Sequence, residues 1–134
     1  MNKVFIVFTH GNLGVELVNS AEIIAGTQEG IKVESVTCND SPESVAIRVE
    51  QLLGTLKKED SVIFFVDMRG GTPWNTVMRF LNISSYHCLA GVNLPMLLEA
   101  IISRNKGASF EEIVNAALNA GKEGIVLAER SLNK

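Results

Sequence analysis

A chain of 134 residues, 46% hydrophobic and 20% charged, is long enough to bury one core and too apolar to remain disordered. Its formal charge is −3 with no basic block, which argues against nucleic acid or an anionic membrane as the main partner, since both are held through clustered Lys and Arg. The first apolar run is too short for a signal peptide or a membrane span, and Cys38 and Cys88 form no CxxC pair, so the chain reads as a cytoplasmic protein with reduced thiols.

Val4 to Phe8 is apolar without alternation, the pattern of a strand covered on both faces. Leu13, Leu17, Val18, Ala21, Ile24 and Ala25 then make one face of a helix that Gly26 ends. A second strand is predicted at 31–37, with one side more exposed. Ser41 followed by Pro42 suits a helix opening, and Val45, Val49, Leu52, Leu53 and Leu56 recur at helical spacing. Residues 61–67 form a third apolar run. Gly70-Gly71-Thr72-Pro73 turns into a further helix, and 86–90 is a short strand. Met96, Leu97, Ala100 and Ile101 continue from Pro95, and a last helix is opened by Ser109 and closed by Gly121. Residues 124–128 read as a late apolar strand. Strands alternating with helices imply parallel pairing through right-handed crossovers, hence an α/β fold with an open, mainly parallel sheet and helices on both faces. With no linker, repeat or low-complexity stretch, residues 1–134 read as one domain.

In such a sheet the working surface lies where the strands end, near the reversal of strand order. His10 leaves the first strand and precedes a glycine and a helix. If one ring nitrogen is held by an acceptor, the other is free to attack phosphorus; the alternative is a polar histidine at a strand end. Asp67 leaves the third strand. It is either that acceptor, fixing the tautomer of His10, or a helix cap or turn former. Thr72 caps the next helix, offers its hydroxyl to a phosphoryl oxygen, or does both. No Gly-Lys-Ser/Thr follows the glycines and no GxGxxG occurs, so neither a nucleotide P-loop nor a dinucleotide cofactor is supported.

Four blocks in order resemble the IIA component of the mannose family of the bacterial sugar phosphotransferase system: Thr9-His10-Gly11, Ser20-Ala21-Glu22 with Gly26, Asp67 to Asn75 (DMRGGTPWN), and Gly91 to Leu97 (GVNLPML). The resemblance spans nearly the whole chain. It implies a phosphotransferase that takes a phosphoryl group from the histidine phosphocarrier protein onto His10 and passes it to a IIB component, and so indirectly serves the membrane IIC and IID components. Asp67 would orient His10, while Gly11, Asn12, Gly71 and Thr72 would hold the phosphoryl group. Neither cofactor nor metal is implied. The protein would be cytoplasmic, peripherally associated with the transport complex, and homodimeric, with the last strand antiparallel and exchanged between subunits in some members. The sequence departs from the family pattern at Arg69, which either stands at the pocket rim or pairs with a surface carboxylate. It also carries no alanine- and proline-rich linker to a IIB domain before Lys134. That fits a free-standing IIA protein or one cut from a fusion.

Other residues read as structural. His87 sits upstream of its strand's functional end, two separated histidines make no metal motif, and no neighbouring cation argues for a lowered Cys38 pKa. Trp74 and Phe80 suit packing or an interface, and Met68, Met78 and Met96 suit the core or an adaptable docking surface. Two rivals remain. A histidine-phosphatase-like hydrolase needs an arginine where Thr9 stands and a second histidine with further arginines. A non-catalytic flavodoxin-like regulatory module would form no stable phosphohistidine. The sugar is not legible from this chain.

Overall fold

A computed structural model describes residues 2–83 and 85–130. Its elements run β1 (Lys3–His10), α1 (Leu13–Ala25), β2 (Ile31–Val36), α2 (Pro42–Gly54), β3 (Ser61–Val66), α3 (Thr72–Met78), β4 (Tyr86–Ala90), α4 (Leu94–Asn105) and α5 (Phe110–Glu123). The four strands are all parallel, in the order β2-β1-β3-β4, so the chain reverses direction across the sheet between β1 and β3.

The period of two along the central strands divides the core. Phe5, Val7, Ile63, Phe65 and Leu89 face α1, α4 and α5, whereas Val4, Ile6, Phe8, Val62, Phe64 and Val66 face α2 and α3. β1 and β3 are buried on both sides, which is why their runs do not alternate. Every residue of β2, an edge strand, is only partly buried. Ser41 caps α2 by a reciprocal bond with Ser44, and Ser109 caps α5 with Glu112 in the same way.

Three local expectations are corrected. Leu13 and Ile24 are exposed, so the buried face of α1 is narrower than its apolar pattern, and it centres on Gly14 and Ala21. Gly121 does not close α5. The helix runs on to Glu123, because Gly121 is where α5 meets α4: a Cβ there would lie 2.7 Å from Met96 Cε. Residues 124–128 form no strand. They leave α5 without a ladder partner in this sheet, and Ile125, Val126 and Leu127 are 78%, 77% and 91% exposed. Among the described residues no helix is long and apolar enough to cross a membrane.

Candidate active site

The register of the sheet sets the site. Phe8 pairs with Val66, the last residue of β3, so one further step brings Asp67 alongside the exit of β1. There a single oxygen, Asp67 Oδ2, accepts two hydrogen bonds: from the backbone N–H of His10 at 2.9 Å and from its ring Nδ1 at 2.8 Å. An ionised carboxylate only accepts, so Nδ1 carries a proton, and in the neutral ring Nε2 is the nitrogen that keeps its lone pair. The pair is asymmetric in exposure, with 47% of the His10 side chain open against 12% of that of Asp67. Burial pushes the Asp67 carboxyl up, but the two bonds from His10, together with the attraction of the ring in its protonated form, outweigh it and hold the group below the usual carboxylate value. Its Oδ1 is buried with no hydrogen-bond partner among the described residues, so His10 is the main stabilising partner of that negative charge.

The turns around the pair keep the ring in place. Gly11 has φ +58, a left-handed turn suited to glycine, and its N–H is committed to Val36 O at 2.8 Å. What Gly11 supplies is therefore the turn, while its amide ties β1 to β2. Asn12 is the N-cap of α1 but makes no side-chain cap bond, leaving its amide side chain exposed beside His10. Gly71, not Thr72, is the N-cap of α3. Thr72 is its first residue, and its side chain makes no cap bond, so that of its two readings only the free hydroxyl survives. Gly71 also forms a wall for the ring, since a Cβ there would lie 2.9 Å from His10 Cε1 and 3.6 Å from Nε2. Met68 and Arg69 are exposed on the same turn, and Arg69 makes no ion pair among the described residues.

Thr9 was missed as an organiser. It is fully buried, its Oγ1 accepts the Gly14 N–H at 2.7 Å, and a Cβ at Gly14 would come within 3.0 Å of that oxygen. This bond fixes where α1 starts relative to His10. The signal was a threonine at a strand end with a glycine five residues on.

The other strand exits hold the frame. After β2, Asp40 Oδ2 accepts the Thr37 N–H at 2.8 Å, and its carboxylate is gripped by Arg48, which also binds Glu34. After β4, Asn93 caps α4 through the Met96 N–H and donates its amide to Gly121 O, each at 3.0 Å, locking α4 to α5. The GVNLP stretch thus serves as a clamp. His87 is remote from this rim. It stacks on Phe110 and donates from Nε2 to Glu111 at 2.9 Å. Burial pushes the Cys88 thiol up to about 12, far from a reactive thiolate. Trp74 and Phe80 pack against the α2/α3 side of the core, and Met96 is buried. Among the described residues no three His, Cys, Asp or Glu side chains gather as a metal site.

A family model described as "PTS system fructose IIA component" matches residues 4–118. The chain belongs to this IIA family of the sugar phosphotransferase system. Within the family, it is 32% identical over 126 residues to the mannose-specific EIIAB component of Escherichia coli strain K12, covering 93% of this chain and 39% of that protein. It is 25% identical over 130 residues to the fructose-specific EIIA component of Bacillus subtilis strain 168, covering 96% of this chain and 88% of that one. Among solved structures, an EIIA component from Streptococcus agalactiae superimposes with a TM-score of 0.81 at 29% identity, over 94% of this chain and 96% of that one. IIA membership supports a role in sugar phosphotransfer, in line with the resemblance drawn from the four sequence blocks.

Proposed function

We propose that His10 is the phosphoryl carrier of this chain. The observation that carries the reading is the 2.8 Å bond from Nδ1 to Asp67, which leaves Nε2 as the free nucleophile on an accessible face. Nε2 attacks the phosphorus of a phosphohistidine on the phosphocarrier protein. The donor's P–N bond breaks as the new one forms, and the electron pair returns to the donor imidazole. Positive charge building on His10 is met by Asp67. Gly71, Thr72, Gly11 and Asn12 border the space the phosphoryl group enters. The Thr72 hydroxyl, free of a cap bond, would serve as a donor to its oxygens, whereas Gly11 contributes conformation. These donors are modest and, among the described residues, no lysine cluster joins them, which suits a carrier that must release its cargo to a IIB component. Exposed Leu13, Met68 and Arg69 beside His10 offer an apolar contact and a positive charge to docking partners.

On this reading the protein works in the cytoplasm, bound peripherally to the membrane transport complex, as a homodimer that covers the exposed apolar tail at 125–127. A histidine-phosphatase mechanism is not favoured, because Thr9 is buried where an arginine is needed and His87 is tied to Glu111.

Supplied with phosphoenolpyruvate, enzyme I and the phosphocarrier protein, the chain should gain one acid-labile, base-stable phosphoryl group. His10→Ala should abolish it, and His87→Ala should retain it. Label on the His10 variant would overturn the assignment.

A further inference from the structure

The opposite pole of the sheet, where the strands begin, carries a groove of about 570 Å3, a volume that suits a small organic ligand. β1 separates it from the catalytic rim, since Lys3 lines it and His10 ends the same strand. Its walls hold Lys3, Lys32, Lys57 and Arg104 against two acids, Asp60 and Glu29, an excess of positive charge in a chain whose net charge is −3. Asp60 is already engaged. Its carboxylate accepts the N–H groups of Lys57 at 3.0 Å and Asn2 at 3.1 Å, and these bonds hold it below the usual range.

Arg104 is the unusual member. Its Cζ lies 4.2 Å from the centre of the Phe5 ring, and its guanidinium donates to three main-chain carbonyls: Nη1 to Lys3 O at 2.9 Å and Gly30 O at 3.1 Å, and Nη2 to Glu29 O at 2.6 Å. These partners fix the group but are neutral, and no carboxylate lies within ion-pair distance of it among the described residues. Of five N–H donors, the Nε one and one on Nη2 stay unspent. A half-buried cation held rigidly without a counter-charge is a poor end state for a fold and a good start for an anion site. Asn2, Asn105 and Thr55, also on the walls, add polar side chains that bind hydroxyls; the Thr55 hydroxyl donates to Leu52 O at 2.6 Å and so offers its oxygen as an acceptor.

We propose that this groove binds a small sugar phosphate, with its phosphate against Arg104 and the lysines and its hydroxyls against Asn2, Asn105 and Thr55. The ligand would bridge the starts of β1 and β2 and the end of α4, and it would occupy a site separate from His10.

The test uses the full chain, with glucose 6-phosphate, glucose and inorganic phosphate as probes, and follows backbone amide resonances by NMR. Glucose 6-phosphate should shift Gly30, Lys57 and Asn105 saturably and raise the melting temperature. Neither glucose nor inorganic phosphate should match its affinity. A Lys32→Gln/Lys57→Gln double variant, altered only at partly or fully exposed side chains, should weaken binding about tenfold or more. It should melt like wild type without ligand and still accept phosphoryl groups on His10. The proposal is overturned if the groove amides show no saturable shift up to about 10 mM, a range that would already detect weak millimolar binding. It is equally overturned if shifts appear only around His10, if either control probe binds as well, or if the double variant binds unchanged.

Discussion

Replacing Asp67 by Asn isolates charge from shape. The amide oxygen takes over both bonds that Oδ2 now accepts from His10, and the NH2 group falls where Oδ1 is buried without a partner. What is lost is the negative charge facing the imidazole. Opposite unit charges about 4 Å apart interact by about 4 kcal/mol at an effective dielectric of about 20. With 47% of the His10 side chain open to solvent, roughly half to three-quarters of that survives screening, leaving about 2–3 kcal/mol. If that stabilisation acts mainly on the charged transition state, phosphoryl transfer to His10 should slow roughly 30- to 160-fold. Rapid-quench measurement of transfer from the labelled phosphocarrier protein would read this directly. Because the new NH2 is buried without an acceptor, the variant should also lose about 1–3 kcal/mol of stability, a separate quantity read by urea unfolding. Transfer within about threefold of wild type, in a variant that shows this stability loss, would refute the electrostatic role and leave Asp67 as a strut.

Gly71→Ala is a steric counterpart. Gly71 sits at φ −80 and ψ 177, a conformation alanine accepts, so the added methyl should displace the His10 ring without unfolding the chain. Transfer should fall about tenfold or more, since overpacking costs of order 1–3 kcal/mol, and an unchanged rate would mean that the ring has room to spare. Arg48 holds the Asp40 carboxyl down to about 2 from the usual 3.8. Since that folded-state value is depressed, the stabilisation is whole above 3.8 and fades as pH falls towards about 2. The gap in urea midpoint between wild type and Arg48→Leu should therefore narrow across that window, and a constant gap would contradict the assignment. Light scattering should find a dimer at micromolar concentration and a shift towards monomer when residues 125–134 are deleted; a monomeric full chain would remove the tail from the interface.

Much of this could be read before the structure, for identifiable reasons. Runs such as Val62 to Val66 admit few alternatives once helices flank them, and Ser41, Ser109 and Gly26 punctuate helices by local chemistry. His10 and Asp67 meet because strand exits next to a reversal share a rim, a rule of topology that needs no side-chain detail. What escaped depends on the neighbours of each residue. Nothing local distinguishes a glycine that ends a helix from Gly121, which continues one against Met96. An apolar run such as Ile125 to Leu127 looks the same whether its partner strand lies in this chain or in another. Gly71 declares its role only when the atoms it nearly touches are known, and the threonine–glycine spacing of Thr9 and Gly14 gains its meaning from the bond between them.

One oxygen of Asp67 receives both the main chain and the ring of His10. The bearing of the His10 ring is consequently set by the alignment of two central strands, and the turns at Gly11 and Gly71 close around a ring already aimed. Under the proposed relay role, which has the chain meet two unlike partners in succession, this arrangement is an advantage. Neither proposed partner would have to supply reorganisation energy to aim the imidazole, and surface residues such as Leu13, Met68 and Arg69 would be free to drift with the identity of those partners while Nε2 stays on course.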